Sequence, residues 1–226
     1  MMIQDPYWQL ARASVEPAFD PSRTAALIVG MQKLWSHPDG WLGRLASDHG
    51  RSGLFAERFA CIAGAIPKMW TLLDACRRTG IEPLHVRTAF HTQDARDRRR
   101  DMFDRLDVTP LKTLDYDFVE PLTPAVDEIV IDCSSVSAFN STPIDQILRN
   151  LGRDRLWICG VSTEGSVELT LRDAADRGYA TTLVTDACAS SSRAAHDDTV
   201  RRLNAGGIHG QDVDRLLAIA DGGGGR

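Results

Sequence analysis

Residues 160–168 read Gly160-Val161-Ser162-Thr163-Glu164-Gly165-Ser166-Val167-Glu168, between an apolar run at 155–159 and a helical pattern at 167–179. A strand that feeds a glycine-containing turn and then a helix start gathers main-chain N–H groups lacking partners inside the helix. Such a place holds a carboxylate, a phosphate or a developing oxyanion. On the turn, Ser162, Thr163 and Glu164 are candidate ligand contacts, and Glu164 also suits the positive end of the helix dipole. Ser166 is a candidate donor to ligand or, with a base beside it, a nucleophile; alone, its hydroxyl stays protonated at neutral pH. His91, just after a second predicted strand, is a candidate proton carrier, histidine being the side-chain type suited to moving protons at physiological pH. His85 and Arg87 share one face of that strand by their spacing.

The elements that must position these groups alternate along the chain. Strand-like runs at 25–29, 83–88, 128–131, 155–159 and 180–184 are separated by helical patterns at about 57–78, 143–151 and 167–177, and two helical stretches end the chain. This alternation predicts βαβ units: an α/β fold of three layers, α/β/α, around a central parallel sheet. Ligands of such sheets sit beyond the carboxyl ends of the strands, which selects residues 30–35, 88–91, 132–139, 160–166 and 186–190. Pro67 is expected to kink or divide the first long helix. The weakly periodic segment 89–122 reads as a lid or subunit-contact loop. Residues 1–20 read as an N-terminal arm packing through Tyr7, Trp8 and Leu10, residues 21–220 as a single domain, and 221–226 as a flexible glycine-rich tail. Glu168 is spaced to pair with Arg172 one helical turn on.

Composition bounds the function. The 226 residues are 43% hydrophobic and 25% charged, enough for one substantial core, and the net charge of −5 argues against a nucleic-acid surface. The arginine-dense run 96–100 is interleaved with Asp94, Asp97 and Asp101, so it reads as a solvated face or an anion-recruiting rim. Five scattered cysteines without C-x-x-C spacing give neither a disulfide framework nor a zinc site, which fits a reducing compartment. No signal core opens the chain and no run reads as a membrane span, so a cytoplasmic protein with no membrane partner is expected.

Three segments carry a family resemblance. They are Ala26-Leu27-Ile28-Val29-Gly30-Met31-Gln32; Ser137-Ala138-Phe139-Asn140-Ser141-Thr142; and the turn above with Thr170, Arg172, Asp173, Ala174, Gly178 and Tyr179, followed by Thr185-Asp186-Ala187-Cys188-Ala189-Ser190. Together they resemble the isochorismatase-like cysteine hydrolase superfamily, which includes nicotinamidases, N-carbamoylsarcosine amidohydrolases, ureidoacrylate hydrolases and isochorismatases. The resemblance implies an aspartate base after Val29, a lysine four residues before Ser137 and a nucleophilic cysteine after Gly165. This chain has Gly30, Cys133 and Ser166 at those positions. Residues that act as a unit lose most of the rate when one is removed, so no nicotinamidase-type amide hydrolysis is expected.

The same resemblance places Cys133 at a strand end facing the pocket, either as a thiol whose neighbours lower its pKa or as a small packing residue. Asp132 beside it could supply the missing carboxylate, although neighbours on a strand face opposite ways. In the family pose Gly30, Gln32, Trp35, Trp41, Arg87 and Phe139 would line a cavity suited to a flat or hydrophobic ligand. Neither a cofactor nor a metal is expected, because the family's Asp-x-His signature is missing. The reading is a divergent enzyme that works without a cysteine nucleophile on a small cyclic or aromatic metabolite, by hydrolysis, elimination or rearrangement. The alternative is an inactive pseudoenzyme that serves as a ligand-binding or partner protein. A homodimer or higher homo-oligomer is implied in either case.

Overall fold

A computed structural model describes residues 19–100 and 114–221. Six strands form one parallel sheet in the order β3-β2-β1-β4-β5-β6: β1 Thr24–Val29, β2 Glu82–Thr88, β3 Ile129–Cys133, β4 Arg155–Val161, β5 Ala180–Ala189 and β6 Gly210–Gln211. Helices flank it, giving the three-layer α/β arrangement the alternation predicts. The central strand β1 pairs with β2 on one side and β4 on the other, and all six of its residues are buried. That explains its unbroken apolar run, since a strand covered on both faces has no solvent side to mark with polar residues. β5 runs five residues beyond its expected end at Val184, with a register shift against β4 between Ile158 and Gly160. The two-residue β6 was too short to show in the sequence.

The helices are α1 Lys33–Ser36, α2 Trp41–Asp48, α3 Ala56–Thr79, α4 Ile144–Asn150, α5 Glu168–Asp176, α6 Arg193–Ala205 and α7 Val213–Ala220. α3 corrects two expectations. It continues through Pro67 as one helix of 24 residues, because Ile62, Ala65, Met69, Leu72, Leu73 and Cys76 form a buried stripe at helical spacing against the sheet. Full burial of each large apolar side chain contributes about 1.5–3 kcal/mol, enough to offset one lost helical hydrogen bond. It is also long and apolar enough to cross a membrane by length and composition, but its apolar stripe belongs to the core. Gly80 ends it in the left-handed region, at φ 80°, with its N–H bonded to the Cys76 carbonyl.

Beside β3 a charged cluster is sealed into the fold. Glu128 takes Arg77 Nε at 2.6 Å, the Ala125 N–H at 2.9 Å and His85 Nε2 at 2.9 Å. Burial pushes the Glu128 carboxyl up, but these partners outweigh it and hold the group at about 2. His85 is fully buried, with Phe118 edge-on at 5.4 Å. Burial lowers its pKa against the opposing pull of Glu128. The N-terminal arm packing expected of Tyr7, Trp8 and Leu10 and the tail at 222–226 lie outside the described residues.

Candidate functional site

The carboxyl ends of β1 and β4 approach each other more closely than side chains permit. Gly30 has φ 71°, and a Cβ built there would stand 2.5 Å from the Val161 main-chain oxygen; at Gly160, φ 119°, a Cβ would run into the Val29 main chain. Glycine is the residue that tolerates both the positive φ and the contact. The Val161–Ser162 peptide is cis. From Thr163 to Val167 the chain makes a wide turn kinked at Gly165, whose φ −120° and ψ −106° are not helical, before α5 begins.

Around this junction opens a cavity of about 360 Å3. Gly30, Cys133 and Ser166 all line it, with Trp35, Arg87 and Ser162. Its floor and sides are Val29, Val86, Val161, Val136 and Leu42, an apolar lining. No carboxylate and no imidazole stands among the described lining residues. The volume falls at the low end of small-molecule sites, which span roughly 300–1,000 Å3.

Of the three arginines in the wall, Arg58 and Arg87 behave differently. Arg87 is paired: its Nε meets Asp132 Oδ1 at 2.6 Å, and its guanidinium lies 5.8 Å from the Phe118 ring centre. Asp132 is thereby held on the outer side of β3, and half its side chain is exposed. Arg58 comes from the first turn of α3 and is only 7% exposed. Its Nη1 donates to Ser162 Oγ at 2.8 Å and its Nε to the Trp35 carbonyl at 3.2 Å. Burial pushes its pKa down, while the charge of Glu164 acts the other way.

The hydroxyl and thiol groups divide similarly. Cys133 Sγ lies 3.2 Å from the Ser135 carbonyl and 3.5 Å from the Ser137 carbonyl, placed to donate. The Ser141 hydroxyl ties this loop together by accepting the N–H groups of Ser134 and Ser135 at 3.1 and 3.0 Å. The Ser166 hydroxyl has no hydrogen-bond partner among the described residues.

With that geometry in view, the comparisons are specific. The isochorismatase domain model matches residues 24–214. The chain belongs to the isochorismatase family. Similar curated proteins include a ureidoacrylate amidohydrolase RutB of Methylobacterium radiotolerans, 30% identical over 188 residues covering 77% of this chain and 70% of that protein. A RutB of Methylorubrum extorquens is 32% identical over 190 residues, 77% and 73% of the two chains. Among solved structures, a cysteine hydrolase of Pseudomonas syringae pv. phaseolicola superposes with TM-score 0.78 at 22% identity, covering 95% of this chain and all of that one. An isochorismatase family protein of Desulfovibrio vulgaris gives 0.73 at 24% identity, covering 88% and 98%. At that identity these two structures speak to the fold alone.

Within this isochorismatase fold, several residues chosen from sequence stand away from the cavity wall. Gln32 is fully buried and bridges the ends of β1 and β2, taking the Thr88 N–H at 2.5 Å and donating to the Thr88 carbonyl at 3.0 Å. Trp41 packs edge-on behind Trp35, ring centres 5.3 Å apart. Phe139 lies in the core against Tyr179, at 5.7 Å. Thr163 Oγ1 bonds the Ala189 carbonyl at 3.1 Å and His196 Nδ1 at 2.9 Å. Glu164 turns to the Ser190 hydroxyl and the Ser191 N–H; burial pushes its carboxyl up, and these bonds outweigh it and hold it low. His91 is exposed, its N–H donating to Asp97 at 2.8 Å. The side chains of Gln32, Thr163 and Glu164 are satisfied by these partners, which is why they do not reach inward.

Glu168 does bond Arg172, at 2.9 Å, and also Arg202 of α6 at 3.0 Å. Sequence reasoning missed Arg58 altogether. It sits in a helical pattern where a charge reads as solvent-facing, and no local spacing marks it. It also left residue 99 in a run read as a solvated face or rim; the structure puts Arg99 in the cavity wall.

Proposed function

We propose that the chain is an isochorismatase-family enzyme that acts without a cysteine nucleophile on a small cyclic or aromatic metabolite. The observation that supports this is an open, apolar cavity at the junction of Gly30, Cys133 and Ser166 whose described walls hold no carboxylate and no imidazole. General acid–base catalysis needs a titrating group within hydrogen-bond reach of the proton it moves. Here fixed positive charge and hydroxyl donors are on offer instead, and such groups act on charge that develops in the transition state. Rearrangement, or elimination in which the leaving group itself carries off the proton, suits that lining better than amide hydrolysis. The relatives named ureidoacrylate amidohydrolases define the competing chemistry.

The test has two arms. Incubation with ureidoacrylate, nicotinamide and a simple carbamoyl amide is expected to release no ammonia above background, and release at rates typical of amidases would refute the reading. A panel of small cyclic metabolites is screened by thermal shift, and each stabilising compound is incubated with the chain and followed by mass spectrometry. Conversion of a binder supports the enzyme. Binders recovered unchanged after prolonged incubation point to the second reading, a ligand-binding protein without turnover, which the same lack of acid–base groups favours. The reading includes a homo-oligomer; light scattering at the monomer mass of 24.9 kDa would remove that part.

A further inference from the structure

Arg58 is a feature of the cavity to which neither the family resemblance nor the functional reading assigns a ligand group. A guanidinium that is 93% buried has lost most of its hydration, and burial is the leading influence on its pKa. Such a charge is ordinarily paired with a carboxylate. The other buried-side arginine contacts follow that rule: Arg77 is bonded to Glu128, Arg87 to Asp132, and Arg153 to Glu82. Among the described residues Arg58 has no carboxylate within ion-pair distance. Glu164 acts on it only through space, and its oxygens are taken by Ser190 and Ser191.

The arrangement of donors around Arg58 is directional. Its Nε and Nη1 are engaged by the Trp35 carbonyl and Ser162 Oγ, which leaves Nη2 without a protein partner among the described residues. Because Ser162 Oγ accepts from Arg58, its own hydrogen is available to donate onward. The Ser166 hydroxyl, also without a partner among the described residues, lines the same cavity. Arg87 does not add to this charge, because Asp132 neutralises it. The wall also holds Arg99, Thr88, Ser134 and Ser135, and its apolar part comes from Val29, Val86, Val136 and Trp35.

We propose that Arg58, with Ser162 and Ser166, is the receptor for the carboxylate of a small monoanionic ligand whose flat or aliphatic body rests on the valine and Trp35 wall. A carboxylate presents two oxygens to one guanidinium N–H and two hydroxyls, and it replaces the counter-charge the protein does not supply. This deepens the functional reading, since it rests on the cavity being the ligand site, but it concerns recognition and not turnover.

Benzoate and benzamide are the probes, equal in shape and differing in charge. Their binding to the full chain is measured by isothermal titration and by Trp fluorescence. Because its hydrogen bonds to Arg58 are charge-assisted, benzoate is expected to bind about tenfold or more tighter than benzamide. In Arg58→Met, which keeps the bulk and removes the charge, the two affinities should converge. In Arg87→Met, whose charge is already matched, the preference should persist. Should Arg58→Met fail to fold, Ser162→Ala together with the wild-type thermal shift, raised by benzoate and not by benzamide, reads the same contrast.

Equal affinity for the two probes in the wild type overturns the proposal, as does a preference retained in Arg58→Met, or no binding of either probe at tens of millimolar. A preference that depends on Arg58 in a chain that converts no metabolite keeps this proposal while removing the enzymatic one. Turnover of a neutral metabolite with no carboxylate preference does the reverse.

Discussion

Replacing Gly30 tests whether the absent carboxylate is a point change or is built into the backbone. At φ 71° an alanine occupies the left-handed region, which costs roughly 1–2 kcal/mol. Its Cβ would also stand 2.5 Å from the Val161 oxygen, a main-chain atom held in the β4 strand, which cannot swing aside as a flexible side chain would. Overpacking of that kind adds about 1–3 kcal/mol. Gly30→Ala is therefore expected to lose about 3 kcal/mol. Gly80 is the internal control: it has φ 80° but nothing within 4 Å of its Cβ position, so Gly80→Ala should lose only the conformational part, about 1 kcal/mol. Urea unfolding followed by circular dichroism gives both values, and in a domain of this size the larger loss corresponds to a fall in Tm of roughly 10 °C. Equal losses for the two variants would refute the steric argument. Its functional corollary is that Gly30→Asp combined with Cys133→Lys and Ser166→Cys does not create an amidase. An aspartate at position 30 meets the same oxygen, so the β1–β4 junction must move before the side chain can be held in place. Ammonia release by a folded triple variant at amidase rates would show that the junction yields after all.

Two other outcomes follow from buried titrating groups. Unfolded histidine takes a proton as the pH falls through 6.5, whereas burial keeps His85 neutral in the fold, so stability should begin to decline below about pH 6.5. Glu128 titrates near 4.5 when unfolded and at about 2 in the fold, so its contribution is complete above pH 4.5 and is lost between there and pH 2. Urea midpoints from pH 8 to 3 should fall in these two stages, and Glu128→Gln should flatten the lower one while costing about 3 kcal/mol at neutral pH. A midpoint independent of pH between 7 and 4 contradicts the sealed cluster. Burial also pushes the thiols of Cys76 and Cys188 up to about 12, and it raises that of Cys159 well above its ordinary value. A thiol reagent at pH 8 should leave these three unmodified in the native chain and label all five in urea. Rapid native labelling of Cys159 would show that the sheet opens there.

Particular residues show how far the sequence reaches. Residues 25–29 and 155–159 were legible as strands because a strand buried on both faces is apolar almost throughout, whereas Gly160, expected in the turn, lies inside β4. The identities of Gly30, Cys133 and Ser166 and their order on strand ends were fixed by the chain alone, and with them the expectation that they meet. The failures share a cause. Gln32, Phe139, Thr163 and Glu164 lie within a few residues of the strand ends that were selected, yet each is turned elsewhere by a partner distant in sequence, Thr88, Tyr179, Ala189 and Ser190, while Trp41 packs on nearby Trp35.

The local pattern, then, determined the parallel α/β sheet, the place where a ligand would sit and which reactive side chains are missing there, because periodicity and strand ends are properties of neighbouring residues. Tertiary structure decided what the cavity offers in their place. Arg58 and Ser162 are 104 residues apart in the chain and 2.8 Å apart in the fold. Only the packing of α3 across the sheet brings an otherwise unmatched positive charge to the end of β4, and no spacing rule spans that distance.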